Sequence, residues 1–319
     1  MQNNSSAKNL SRSASLIFKG FIFLALLAAL SAAALNFYPG LSILPAAWGL
    51  RMSPYCTVWQ AVTDAQVKVD RDAKAKELLA QSHLVRTEGG LKLWSTPEGE
   101  FWVPDSSGEV LAILLAQQKQ NIYGDAAHGG VRAGDIVLDG GAHIGLYTKT
   151  ALEAGAQKVI AIDPSPEALA CLRRNFAKEV EAGRVVIYPK GLWDQAKELV
   201  LFANGNGAAG DSFVQEGANA RRIAGIPVTT VDKLVAELGL PRVDLIKADI
   251  KGAGERMLIG AADTIRKYHP RVVISTEEDP DDPRVLRDRL LSISSDYQFR
   301  PGPCLFNVDQ VYTDVVFFQ

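Results

Sequence analysis

Apolar and polar positions divide the chain into an apolar head, an amphipathic bridge, and a long region where short apolar runs alternate with helical periodicity. Residues 1–19 form a polar Ser/Asn-rich tail carrying Lys8, Arg12 and Lys19. Residues 20–51 are predominantly apolar: Phe21 to Leu30 continues to Leu35, and Phe37 to Leu50 follows the Pro39-Gly40 break. The first run is shorter than the roughly 20 residues that cross a bilayer core of about 30 Å. It reads as a signal peptide ending in the small residues Ser31 to Ala34, as a single span, or as a re-entrant hairpin bending at Pro39. Lys19 and Arg51 would keep both ends of a hairpin on the cytoplasmic face, whereas a plain positive-inside span would send the following domain outward.

Residues 52–130 read as a helical linker and a small β/α lead-in. From Val58 to Ala80, Val58, Ala61, Val62, Ala65, Val69, Ala73 and Leu79 recur at helical spacing among charged residues, an amphipathic helix leading away from the membrane. Leu84 to Arg86 and Leu91 to Trp94 flank Glu88-Gly89-Gly90 as a hairpin, Glu100 to Pro104 adds a strand, and a helix runs from about Gly108 to Lys119.

In residues 131–319 the runs Asp135 to Asp139, Lys158 to Asp163, Arg184 to Pro189, Val243 to Asp249 and Arg271 to Thr276 are apolar and end in polar residues. Helical stretches such as Glu167 to Glu181 and Val231 to Leu238 separate them. Such strands predict an α/β domain whose parallel sheet is covered on both faces. Tyr297 to Arg300, a turn at Pro301-Gly302-Pro303, and Val311 to Phe318 read as two strands joined directly, a terminal hairpin.

The net charge of -2 on 319 residues argues against a broadly basic nucleic-acid surface, so no nucleic-acid partner is expected. Cys56, Cys171 and Cys304 show no paired spacing, suggesting neither a disulfide framework nor a zinc knuckle, and a reducing compartment suits the domain. His83, His128, His143 and His269 form no ligand-like cluster, so no metal is expected.

Ligands of doubly wound sheets bind beyond the carboxyl ends of the strands. The first strand ends in Asp139, followed by Gly140, Gly141, Ala142, His143, Ile144 and Gly145. Glycines permit a sharp turn and close approach, and a helix opening near Leu146 presents free N–H groups. The spacing Asp-x-Gly-x-x-x-Gly is not the pyrophosphate pattern Gly-x-Gly-x-x-Gly. An acidic residue opening the loop suits an ammonium-bearing ligand without phosphate, such as the amino-acid end of S-adenosylmethionine. The second strand ends in Asp163-Pro164-Ser165, where a carboxylate can accept hydrogen bonds from ribose hydroxyls. At the third tip, Leu192 and Trp193 can pack on adenine, with edge packing an equal alternative for Trp193. At the fourth, Asp249 faces the donor and can orient the acceptor or take its proton, or simply cap the next helix.

With these motifs in place, the chain from about Val131 onward resembles the FkbM family of S-adenosylmethionine-dependent methyltransferases. Val137 to Thr148, including Tyr147 and Thr148, is similar to the family's donor loop, with His143 where Asn is more usual. Asp163-Pro164 stands at an acidic-Pro pair, and Ile226 to Leu234, with Thr230 and Asp232, resembles a Thr-Leu-Asp segment. The resemblance implies a Rossmann-like methyltransferase fold, with a mostly parallel seven-stranded sheet ending in an antiparallel hairpin. It also implies methyl transfer, mostly to oxygen, without a metal.

The family's Val-Glu-Gly-x-Glu after the fourth strand is here Ile250-Lys251-Gly252-Ala253-Gly254, which places Lys251 and Gly254 at the two glutamates and leaves Glu255 about 100° further round a helix. A lysine there suggests an anionic acceptor or lost activity, so a non-catalytic, membrane-anchored S-adenosylmethionine-binding protein stands as the alternative. Glu277, at the fifth strand tip, is a second candidate base after Asp249. The expected acceptor is a small molecule, lipid, glycolipid or saccharide intermediate. The expected location is the inner membrane with the catalytic domain facing the cytoplasm.

Overall fold

Five of the apolar runs pair side by side because each is buried on both faces, and only a covered parallel sheet satisfies such strands. The computed structural model describes residues 49–105, 108–204 and 209–319, together with Leu24, Leu26, Gly40 and Leu41. Most of the expected membrane segment, 20–51, therefore lies outside the described residues. Among the described residues no helix is long and apolar enough to cross a membrane.

The main sheet has seven strands among the described residues. From edge to edge they are Phe299–Pro301, Val315–Phe318, Arg271–Ser275, Leu245–Ala248, Ile136–Gly140, Lys158–Ile162 and Val185–Tyr188. The last five run parallel, and Val315–Phe318 is antiparallel to both of its neighbours. Each parallel strand matches its sequence-predicted run to within two residues at either end. The core on one face gathers Leu138, Ile160, Ile246, Val272 and Phe318 with Leu234, Met257, Leu258 and Leu290 from the covering helices. Fully burying side chains of this size contributes about 1.5–3 kcal/mol each.

The terminal pair differs from its expectation. Phe299–Pro301 and Val315–Phe318 are not joined directly: Cys304–Phe306 and Gln310–Thr313 intervene and pair with each other. Pro301 and Pro303 lack N–H donors, so the chain leaves the sheet here before returning. Gln310–Thr313 also pairs in parallel with Arg51–Met52, drawing the beginning of the domain onto its end. That pairing brings Cys56 and Cys304 into a disulfide with Cα atoms 5.7 Å apart. The expectation of no disulfide is thus overturned. The partners are 248 residues apart, a spacing that carries no motif.

The helix Val58–Ala80 opens with a capping box in which Thr57 and Gln60 satisfy each other's backbone N–H groups, worth about 1 kcal/mol. Its inner face, Ala61, Val62, Ala65, Ala75 and Leu78, packs on the domain. The helix therefore docks rather than leading away. Buried Arg71 on that face pairs with buried Asp314. Gly40 abuts the same helix, where an added Cβ would lie 2.3 Å from the Val62 carbonyl oxygen, and Leu41 packs beside the disulfide. At these two residues the second apolar run touches the domain.

The lead-in sheet, His83–Glu88, Leu91–Thr96 and Gly99–Pro104, and the helix Gly108–Lys119 appear as expected. They share a core with Ile144, Leu146 and Cys171, so the lead-in braces the helices that flank the glycine-rich loop. The predicted stretch Glu167 to Glu181 is two helices, Pro166–Asn175 and Ala177–Glu181, separated at Phe176. Sequence reading missed the ribbon Lys197–Ala203 with Arg221–Thr229, between which Ala209, Asp211, Ser212 and Phe213 lie at the strand tips.

Candidate functional site

A cleft of about 810 Å³, including the part open to solvent, lies at the carboxyl ends of the parallel strands. Of the predicted residues, Gly141, His143, Asp163, Pro164, Leu192, Asp249, Lys251 and Glu277 line it. Asp139, Gly140, Ala142, Gly145, Tyr147, Thr148, Ser165 and Trp193 do not form its wall; several of them hold the wall in place.

The glycine-rich loop owes its course to two positions. Gly141 has φ +69°, and a Cβ there would sit 2.0 Å from the Asp249 carbonyl oxygen. Gly145 has φ +93°, and a Cβ there would strike the Phe176 ring at 2.0 Å. No side chain fits either place. The Asp249 N–H donates to the Gly140 carbonyl at 3.0 Å, closing the first strand's loop onto the fourth strand's tip.

Asp139 does not face the cleft. Its carboxylate is fully buried and receives the Lys247 ammonium at 2.9 Å and the Thr148 hydroxyl at 2.7 Å. Lys247 also donates to the Gly140 and Gly141 carbonyls. The expected role of Asp139 toward a ligand ammonium is already filled by the chain's own lysine. A structural signal was present in the sequence: Lys247 interrupts an apolar strand, and its register partner is Asp139. A buried charge needs a counter-charge.

Asp163 stands as predicted at the second tip. It accepts N–H bonds from His143 at 2.8 Å and Ser165 at 2.9 Å, one on each oxygen, leaving acceptor capacity toward the cleft. Burial raises its carboxyl to about 7, against the opposing pull of those N–H groups. Asp211, which the sequence did not single out, also lines the cleft, its carboxyl raised by burial while the Ser165 hydroxyl opposes. Leu192 forms wall. Trp193 instead packs edge-on against Phe213, so the sheet-edge alternative holds for it, and Phe213 is the aromatic in the cleft.

The fourth and fifth strand tips form one charged cluster. Asp249 accepts a hydrogen bond from the Tyr123 hydroxyl at 3.0 Å and lies 3.2 Å from Lys251 Nζ as an ion pair. Lys251 also contacts Glu277 and, at 3.4 Å, Glu278. Burial opposes ionisation of Asp249, but Lys251 and Lys247 outweigh it and hold the carboxyl below its ordinary range. Burial raises the carboxyl of Glu277, Lys251 opposing and Asp249 reinforcing. The Lys251 ammonium is held well above the ordinary range: burial works against it, and Asp249, Glu277 and Glu278 overcome that cost. Tyr123 was missed because nothing in its loop sequence marks it. Glu255 turns away to pair with Arg289 at 2.8 Å, and a Cβ on Gly254 would press on Leu286 at 3.0 Å.

The chain is 29% identical over 160 residues to the 31-O-demethyl-FK506 methyltransferase FkbM of Streptomyces tacrolimicus, a match covering 42% of this chain and 62% of that protein. The chain thus spans less than two thirds of that relative. Among solved structures, the methyltransferase FkbM of Methylobacillus flagellatus KT matches at 16% identity and TM-score 0.46, covering 80% of this chain and 60% of that one. SMU.1697c of Streptococcus mutans, solved with SAH, matches at 11% identity and TM-score 0.36, covering 59% of this chain and 89% of that one. The methyltransferase FkbM domain model matches residues 139–301, slightly over half of the chain. By that match, the chain belongs to the FkbM methyltransferase family.

Proposed function

We propose that this protein is an S-adenosylmethionine-dependent methyltransferase that methylates an acceptor hydroxyl in the cleft between Asp163 and Glu277. The observation that carries this reading is the side-chain-free Gly141 turn, pressed against Asp249 and flanked by the open acceptor face of Asp163. The fit to the donor is chemical: a carboxylate for ribose hydroxyls, and apolar Leu192, Ile162 and Phe213 for a base.

Bound S-adenosylmethionine would supply an electrophilic methyl group on a sulfonium. The protein's task is alignment and exclusion of water, since orientation alone supplies much of such a rate enhancement. Asp249, kept ionised, suits the anchoring of the acceptor O–H. Glu277, with its raised carboxyl, is better matched to receive the proton as the C–S bond breaks and the C–O bond forms. This assignment divides two roles that sequence reading gave first to Asp249. Lys251 fixes both groups.

Residues 20–51 tether the domain to a membrane in this reading, consistent with a lipid, glycolipid or saccharide acceptor. Supply of the donor inside cells favours a cytoplasmic domain. The Cys56–Cys304 disulfide favours the outward reading, because such bonds persist in oxidising compartments. Reporter fusions after Arg51 decide between the two.

The test is formation of S-adenosylhomocysteine over a panel of hydroxylated acceptors. Asp249→Ala should abolish turnover while leaving a folded protein. Full activity in that variant would remove Asp249 from the reaction, and donor binding without product across the panel would favour the non-catalytic alternative.

A further inference from the structure

Lys251 is the residue at which this chain departs from its family's glutamate, and sequence reading allowed it to receive an anionic acceptor. Its surroundings point the other way. The side chain is only 17% exposed, and its ammonium lies between carboxylates from both strand tips: Asp249, Glu277 and Glu278. The backbone at Lys251 takes φ +42°, a left-handed conformation that costs a non-glycine residue about 1–2 kcal/mol. The Ser212 hydroxyl, from the segment over the cleft, donates to the Lys251 carbonyl at 2.9 Å and fixes that turn. The fold thus holds Lys251 where its charge is spent internally.

The rest of the cleft shows the same balance. Its other lysine, Lys190, pairs with Glu237 at 3.1 Å. Four carboxylates, Asp163, Asp211, Asp249 and Glu277, share the lining with these two lysines. Other charged or titratable groups facing the cluster are Lys247, behind Asp249, then Tyr123 and Asp314. Asp249 Oδ1 is screened from solvent with the Lys251 ammonium 3.2 Å away, so the lysine charge is committed to that carboxylate as well.

Resting on the methyl-transfer reading of the cleft, we propose that Lys251 is a positioning residue and not an anion receptor, so that the acceptor subsite takes an uncharged, hydroxyl-bearing group and rejects phosphate and carboxylate. An anion there would meet Glu277 and Glu278, and among the described lining residues both lysines are already paired. An O–H group carries no charge for those carboxylates to repel and can donate to one of them. The departure from the family pattern therefore changes how the cluster is held together, not the sign of the acceptor.

The experiment uses the full-length chain and inorganic phosphate as probe, with donor binding measured separately by titration with S-adenosylhomocysteine. The unaltered protein should give no phosphate isotherm at millimolar concentration. Glu277→Gln with Glu278→Gln frees the ammonium, so phosphate should now bind, and acylation of Lys251 by an activated ester, read by peptide mass spectrometry, should rise about tenfold, equivalent to about 1.4 kcal/mol. Adding Lys251→Gln should abolish the new phosphate binding. Phosphate binding by the unaltered protein, or no gain in the double variant, would overturn the proposal. Neither result depends on donor binding, so a failure of the methyltransferase reading would show itself separately.

Discussion

Replacing Lys247 by methionine tests whether the first carboxylate of the glycine-rich loop is structural. The ammonium it removes is 3% exposed and donates to Asp139 and to the carbonyls of Gly140 and Gly141. Methionine matches the stem but leaves the Asp139 carboxylate, itself at 0% exposure, without its counter-charge. Breaking a buried pair from one side costs about 3–5 kcal/mol, equivalent to roughly two to three and a half orders of magnitude in the folding equilibrium constant. For a chain of this size each kcal/mol moves Tm by about 1.5 °C, so a fall of about 5–8 °C is expected. Urea denaturation read by tryptophan fluorescence gives the free energy. Adding Asp139→Leu should cost less than the two single changes summed, because the unpaired charge is gone. A Lys247→Met protein within about 1 kcal/mol of the parent would refute the buried-pair account and return Asp139 to the list of ligand groups.

Two further outcomes follow from the geometry. Asp163 has its folded-state carboxyl raised to about 7, so the unliganded protein holds a proton there that the unfolded chain releases near pH 4. Its contribution to stability is full below that unfolded value and is lost as pH rises through 7; because ribose hydroxyls donate more strongly to the ionised form, S-adenosylhomocysteine should bind about fivefold more weakly at pH 6 than at pH 7, and calorimetry on Asp163→Asn should show weak binding without that slope. Cys304→Ala opens a loop of 248 residues, for which the chain-entropy account gives a ceiling of about 5 kcal/mol; an equal Tm with and without reductant, together with three titratable thiols in the parent, would contradict the bond.

The sheet was legible because its five parallel strands are mostly apolar runs, a pattern that fixes both their existence and their burial. Strand-tip chemistry followed from them: Gly141, Asp163, Asp249 and Glu277 fall where the topology brings loops together. What could not be read depends on distant pairings. Cys56 meets Cys304 only because Arg51–Met52 aligns with Gln310–Thr313, and Tyr123 reaches Asp249 from a loop with no motif of its own. Asp139 shows a different limit, since its place in the motif was read correctly while its partner lay across the sheet in Lys247. The ribbon around Phe213 was missed because Lys197–Ala203 and Arg221–Thr229 are mostly exposed or half-buried and show little apolar alternation.

The central claim is that the cleft binds the methyl donor over a turn that tolerates no side chain at Gly141. Titration of the full-length protein with S-adenosylhomocysteine, in parallel with a Gly141→Ala protein shown to be folded by its circular dichroism, tests it directly. A one-to-one isotherm for the parent that is lost in the variant is the result predicted. No binding by the parent, or equal binding by both, would contradict it.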